Sequence, residues 1–285
     1  PLEIRAGKGG IRIWLGFSGK QLTEATADVA LAQVTARLGQ TLPLLDLEYL
    51  EGRLGGKQTN AGFEVLGRKL SLKTGGGVAL PPADFSVRWV RGIASQSPQG
   101  EMEANALELA PLAQLAEFLP FPQEVRRQLA ETEPHGKVSE LKLTWAGEPD
   151  RPERYTARGR FANLGINAWN RLPGFSGLTG QFDASDKGGT LSLGAKNAAV
   201  ELRGILPENR VQLDTLTGQI GWLWGKEGLE LKFGNLALAN KDAAGTFSGS
   251  YAAAAEGPGV IDLTGSIPRV QAASVHRYIP YLPEA

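Results

Sequence analysis

His135 and His276 are the only imidazoles in the chain and lie 141 residues apart. A zinc or iron site needs several ligands at recognisable spacing, and neither histidine has Asp or Glu partners arranged that way. Neither completes a Ser/His/Asp arrangement. Cysteine is absent, which removes thiolate nucleophiles, disulfides and cysteine-held metal sites together. Gly7-Lys8-Gly9-Gly10 has the composition of a phosphate loop without the G-x-x-x-x-G-K-[ST] spacing. Gly16-Phe17-Ser18-Gly19 and Gly174-Phe175-Ser176-Gly177 are not the G-x-S-x-G nucleophile elbow. Glu148, Asp150 and Glu153 cluster around prolines, where a solvated turn is commoner than an acid–base pair. The expectation is therefore no catalytic residue, no metal, no cofactor and no enzyme activity.

The remaining residues with distinctive chemistry are apolar and aromatic. Trp14, Trp89, Trp145, Trp169, Trp222 and Trp224 could stack sugars or form a belt at a lipid headgroup level, although packing on a half-buried strand face is the commoner role. Trp222 and Trp224 share a face by period 2. Apolar residues alternate at Ile11, Ile13, Leu15 and Phe17, and again at Val138, Leu141, Leu143 and Trp145 with one phase slip. Leu191 and Leu193, Val200 and Leu202, and Leu229, Leu231 and Phe233 continue the pattern. Asp186-Lys187-Gly188-Gly189 and Lys226-Glu227-Gly228 punctuate it as turns. This is the signature of antiparallel strands with one apolar and one polar face. Helical spacing is confined to 109–118, 123–132 and 270–279, the second bracketed by Pro122 and Pro134 and the third ended by Pro280.

The bulk numbers fit that reading. The 285 residues include 37 glycines, which suits turns and bulges, and 30 basic against 30 acidic residues, which removes the electrostatic reason to expect nucleic acid. No stretch approaches the roughly 18 apolar residues that span a bilayer, and the first ten residues carry no signal pattern. With Met102 as its only methionine, the chain reads as a piece of a longer polypeptide whose anchor and targeting signal lie elsewhere.

A repeat organises the strands. Leu-x-x-Leu-x-Gly occurs at Leu47, Leu50 and Gly52 and, 166 residues on, at Leu213, Leu216 and Gly218, with an aromatic-led copy at Phe175, Leu178 and Gly180. A turn glycine follows each, at Gly62, Gly228 and Gly189, and then a Leu-x-Leu pair at Leu70/Leu72, Leu236/Leu238 and Leu191/Leu193. Phe118-Leu119-Pro120 likewise corresponds to Tyr278-Ile279-Pro280. A strand block closed by a short helix therefore occurs twice. The expected organisation is leading strands over 1–41, a first block over 42–135 closed by helices at about 109–132, and a related block over 136–285 closed at about 270–279.

Residues 158–186, RGRFANLGINAWNRLPGFSGLTGQFDASD, closely resemble the central region of YhdP-type proteins, members of the AsmA-like group. The carriers are Phe161, Asn163, Leu164 and Gly165, then Leu172 to Phe175 with Leu178 and Gly180, then Asp186 to Gly189. Leu109 to Leu129, Pro134 to Trp145, Leu213 to Trp222, the Asn240-Lys241-Asp242-Ala243-Ala244-Gly245 run and the closing Tyr278-Ile279-Pro280 also fit, and His135 departs from an expected arginine. The resemblance implies an inner-membrane-anchored protein of the Gram-negative periplasm, with an elongated, curled antiparallel sheet forming an open, taco-like groove. It also implies carriage of phospholipid toward the outer membrane, with the remainder of the same chain completing the conduit. Composition and spacing alone imply only a mostly β, repetitive chain that is part of something longer; the combined expectation is a mainly antiparallel sheet of about 16 strands with short helical insertions.

If the sheet's apolar face lines such a groove, its candidate lipid-binding residues are Leu141, Leu143, Trp145, Phe161, Leu164, Ile166, Leu191, Leu193, Leu213, Ile220, Leu229, Leu231 and Phe233. An ordinary sheet core packed on the helices would use the same residues. Two other roles fit the sequence: a periplasmic scaffold binding partners through its sheet edges, and an enzyme acting on envelope glycan or lipid, which would require a carboxylate pair formed only by folding.

Overall fold

A computed structural model describes residues 3–92, 97–148, 151–170, 172–202, 207–225, 228–253 and 259–279. The strands are β1 (Glu3–Ser18), β2 (Gln21–Arg37), β3 (Leu45–Thr59), β4 (Gly62–Thr74), β5 (Ala79–Val90), β6 (Gln99–Glu108), β7 (His135–Glu148), β8 (Arg151–Ile166), β9 (Gly174–Ser185), β10 (Gly188–Glu201), β11 (Arg210–Gly225), β12 (Gly228–Ala239), β13 (Ala243–Ala252) and β14 (Val260–Val270). They form one 14-stranded antiparallel sheet whose hydrogen-bonded neighbours follow chain order from β1 to β14. The mainly β class with short helical insertions is as expected. The strand number falls short of about 16 because strands such as β2, at 17 residues, far exceed the common five or six.

Helix α1 (Leu109–Leu115) runs on into a 3₁₀ turn over Ala116–Phe118, and α2 (Gln123–Thr132) ends at Glu133 with a left-handed φ of 43°. The third expected helix is shorter than its spacing implied, because Val270 still belongs to β14 and only Ala272–Tyr278 form a 3₁₀ helix. Among the described residues no helix is long and apolar enough to cross a membrane. Asp150, the Lys226-Glu227 turn and Pro280 lie outside the described residues. The chain divides into two compact units, Pro1–Glu133 with Val138–Thr156, and Pro134–Lys137 with Ala157–Ala285.

Strands this long keep one face apolar only if their side-chain period is corrected along the way. Six of them break the period once, each at a non-glycine residue in the left-handed region: Gln33, Lys69, Glu140, Asn163, Asn197 and Asn235. Past each break the apolar series resumes after three residues instead of two. Thus Leu31 and Val34 on β2 meet in one cluster, and Ala195 and Ala198 on β10 in another. Such a bulge adds a residue, sharpens the twist and returns the apolar residues to the original face. Left-handed backbone costs a residue with a Cβ roughly 1–2 kcal/mol, least for asparagine, which occupies three of the six positions. Neighbouring side chains capture N–H groups at these bulges: Lys69 donates to Asp84 Oδ1 (2.7 Å), Asn163 to Thr179 Oγ1 (3.2 Å) and Asn235 to Ser248 Oγ (3.1 Å).

The Leu-x-x-Leu-x-Gly spacing is the mark of a strand that lies beside such a bulge. Leu47 and Leu50 pack together with Val34, Ala36 and Leu45, while Leu213 and Leu216 pack with Ala195 and Ala198. Gly52 and Gly218 both have φ +135°, facing the bulges at Lys69 and Asn235. The third, aromatic-led copy is not equivalent. It lies on β9, and the glycine that faces the Asn197 bulge there is Gly177 at φ +74°, not Gly180. A Cβ at Gly218 would sit 2.8 Å from Asn235 O and from Leu236 Cα. Gly218→Val should therefore lower stability by about 2–3 kcal/mol, whereas Gly194→Val, where nothing lies within 4 Å of a Cβ, should stay within about 0.5 kcal/mol. Urea unfolding of the two variants followed by circular dichroism measures the difference.

Candidate functional site

In the first unit, cross-strand register separates two chemically distinct faces. One carries Ile11, Ile13 and Leu15 on β1, opposite Val29, Ala27 and Ala25 on β2. It continues through Leu54 and Gly56 on β3, Gly67, Val65 and Phe63 on β4, and Phe85, Val87 and Trp89 on β5. On β6 it reaches Ala104, Met102 and Gly100. The other face carries Asp28 paired with Arg53, Arg68 with Asp84 (3.6 Å), and Lys142 with Glu101 (3.1 Å) and Glu103 (2.6 Å). Trp14 belongs to this polar face, with the Arg53 and Arg12 guanidinium groups 5.4 and 5.9 Å from its ring centre.

The second unit repeats the division. Leu191 lies between Phe182 on β9 and Ile220 on β11, and Leu193 between Gly180 and Gly218. Ile220, Trp222 and Trp224 then oppose Phe233, Leu231 and Leu229 on β12, so the two tryptophans do share a face. Leu231 and Phe233 oppose Tyr251 and Gly249, which oppose Ile261 and Leu263 on β14. The residues between them, such as Glu230 and Lys232, are exposed on the other side.

Large rings on the apolar face lie over glycines of the adjacent strand. Phe85 occupies the space a side chain at Gly67 would fill, Trp145 that at Gly100, Phe161 that at Gly180, and Trp222 that at Gly189. Each ring therefore occupies space over backbone that a side chain on the neighbouring strand would otherwise fill. No large side chain among the described residues falls below 2% exposure, and Ile13 and Trp224 remain 59% and 57% exposed. Among the described residues, the apolar face within each unit has no second layer of the kind that sandwiches use, beyond the helix or 3₁₀ helix at one end.

Those helices close corresponding ends of the two units by different chemistry. In the first, Leu115 and Phe118 settle on Val34, Ala36, Leu45 and Leu47. In the second, the closing 3₁₀ helix is tied by polar groups. The Tyr278 hydroxyl donates to Asp242 Oδ2 (2.8 Å) and accepts from Asn240 Nδ2 (2.8 Å), while Asn240 Oδ1 accepts the Asp242 and Ala243 N–H groups, both at 2.9 Å. Arg277 adds Glu208 at 3.1 Å and Asp242 at 3.5 Å. A cavity of about 220 Å³ adjoins this network, and its Arg277 is already held by both Glu208 and Asp242. The Tyr278 hydrogen bond, helped by Ser274 and Arg277, holds the Asp242 carboxyl below its ordinary value. Burial, then the Asp242 hydrogen bond, pushes the Tyr278 phenol up.

The sequence-derived residues separate by burial. Leu141, Leu143 and Trp145 follow the Glu140 bulge at alternate positions, half-buried, and Leu164 and Ile166 do the same after Asn163. Leu191, Ile220, Leu229, Leu231 and Phe233 are also half-buried on the second unit's apolar face. Phe161 and Leu213, at 3% and 6% exposure, and Leu193 are already covered by protein neighbours and serve packing. Sequence reasoning passed over Leu54, Phe63, Val65, Phe85 and Val87, and singled out Trp89 only among the tryptophans. Their alternation was the available signal, interrupted at Gly67 and shifted at Lys69.

Two outcomes follow from this geometry. Gly100→Val should lift Trp145 off the backbone, shifting its fluorescence and near-ultraviolet dichroism while leaving strand content intact. Asp242, with its folded value lowered, contributes stability that is in place above the ordinary carboxylate range and is lost as pH falls through the lowered value. Tyr278, with its value raised, contributes below its ordinary value, and that contribution disappears as pH rises through the raised one. Amide exchange of residues 272–278 should therefore be slow across the neutral range and accelerate at both extremes, and Asp242→Asn should remove the acid limb.

The model of one protein family, YhdP protein, matches residues 2–284. No curated protein and no solved structure matches the chain.

Proposed function

We propose that this chain, a member of the YhdP family of bacterial envelope proteins, is a section of a conduit that guides phospholipid along the apolar face of its sheet. The reading rests on one observation above others. Each unit has a broad, even, half-exposed apolar face backed by a charged one, without a second layer to cover it.

Water is a poor neighbour for such a face. An acyl chain that replaces it gains about 0.8 kcal/mol per buried methylene, on the order of 10 kcal/mol for one long chain. Because these rings sit over glycines and not against facing side chains, they add little relief to the face, and a lipid can slide as well as bind. Guidance of this kind needs no catalytic group, metal or cofactor. The full protein is anchored in the inner membrane by a segment outside this one, stands in the periplasm and passes phospholipid toward the outer membrane. The rest of the same chain extends the path.

A partner-binding scaffold is the second reading. It is favoured by the terminal strands, where Ile4 and Phe17 of β1 and Val260 and Ile261 of β14 are more than three-fifths exposed and could accept another strand at an open edge.

Adjacent residues on opposite faces of β12 separate the two. Chain purified from a Gram-negative host should carry phospholipid detectable by native mass spectrometry. Leu231→Glu should reduce the bound lipid at least about tenfold, the cost of setting a charge on that face, and Lys232→Glu should leave it unchanged. Wild-type protein that is free of lipid and takes up no fluorescent phospholipid would remove the conduit reading in favour of the scaffold.

A further inference from the structure

The apolar face of the first unit has two unlike ends. At one, Leu115 and Phe118 seal the strand ends around Leu47 and Leu72, and the segment from 117 to 133 carries four glutamates against two arginines. The other end is the row of hairpin turns after β1, β3 and β5. There Phe63 stacks on Trp89, with ring centres 5.7 Å apart and planes 24° apart. Trp89 is in register with Gly100, and the Trp145 ring lies over that glycine, so three rings line the edge in succession. Nε1 of Trp89 and of Trp145 is buried without an acceptor among the described residues. At the same edge stand Lys20 and Arg91, and Lys57 leaves β3 on the charged face between its register partners Glu24 and Glu64; none of the three has an ion-pair partner among the described residues, whereas Arg53, Lys73 and Lys142 are held by carboxylates.

The second unit has the same polarity along its strands. Its closed end holds the Tyr278–Asp242 network. Its turn end holds Trp222 over Gly189, then Trp224 and Tyr251, with Lys187 in the β9–β10 turn.

Building on the proposed conduit, we propose that a glycerophospholipid rides with its phosphate at the hairpin-turn edge and its acyl chains pointing toward the helix-closed end. Aromatic side chains with one polar atom favour the boundary between hydrocarbon and headgroup, and indole N–H groups gain most there from an ester or phosphate oxygen. Unpaired lysine and arginine beyond them meet the phosphate's charge, and the glutamate-rich closed end repels it. Length agrees as well. The nine steps from Phe63 to Leu72 run about 30 Å at roughly 3.3 Å each, enough to take one leaflet's hydrocarbon depth of about 15 Å lengthwise.

Two photoactivatable phosphatidylethanolamines, one with its diazirine on the headgroup and one at the acyl terminus, test this on the full 285-residue chain. Labelled peptides are mapped by mass spectrometry after loading from phosphatidylethanolamine/phosphatidylglycerol vesicles. The headgroup probe should mark segments 17–22, 57–63 and 89–92, and the acyl probe segments 65–72 and 85–87. The combined Lys20→Glu, Lys57→Glu and Arg91→Glu variant, with strand content verified, should cut headgroup labelling about fivefold or more. Headgroup labelling within 111–133, or equally at both ends, or unchanged in the triple variant, would overturn the assigned orientation while leaving the conduit standing. If neither probe labels above a free diazirine control, the conduit reading fails together with it.

Discussion

A single-layer sheet with one apolar face depends on keeping side-chain phase over strands that are long and twisted. One residue of slip sends every later side chain through to the opposite face. Here a left-handed residue placed inside six strands restores the phase once per strand. The leucine clusters, the glycines that face the bulges and the side-chain acceptors Asp84, Thr179 and Ser248 all follow from that correction. Removing the acceptors would strand backbone donors, and filling the glycines would push the paired strands apart.

With phase secured, the two faces can specialise. The charged face is held by exposed pairs such as Lys73–Glu48 and Arg68–Asp84, each worth little by itself in water but costly to place on the opposite side. The apolar face obtains area without obtaining relief, because its largest rings are bedded on glycine backbone. A protein partner would be gripped by knobs and holes. A flexible chain of methylenes asks only for apolar contact area, the property on which the proposed conduit rests.

The two helical closures show how equivalent positions in a repeat can diverge. One is an apolar plug in which Leu115 and Phe118 extend the leucine cluster. The other depends on one buried carboxylate, Asp242, at 4% exposure, which accepts from the Tyr278 hydroxyl and the Arg277 guanidinium while its own N–H donates to Asn240 Oδ1. A buried carboxylate without donors would be severely destabilising, so Tyr278, Asn240 and Arg277 form a set that stands or falls together. Both closures act at corresponding strand ends, which leaves the turn ends open and gives each unit a direction.

Much of this was legible in the residues. Alternation marked Leu141, Leu143, Trp145, Leu229, Leu231 and Phe233 as one-sided, because strand geometry admits only two faces, and the phase slip after Val138 marked the Glu140 bulge. Helical spacing located α1 and α2, and the repeated Leu-x-x-Leu-x-Gly marked two strands whose glycines, Gly52 and Gly218, share a φ of +135° beside a bulge. Only the folded chain decided which apolar residues are packed and which are bare: Phe161 and Leu213 look no different in sequence from Leu191 and Leu231, yet their exposure depends on neighbours brought in from other strands. The pairing of Trp145 with Gly100, the Tyr278–Asp242 contact and the contrast between closed and open ends likewise join residues tens of positions apart. Local periodicity carries no information about such distances, because it is cross-strand register that sets them.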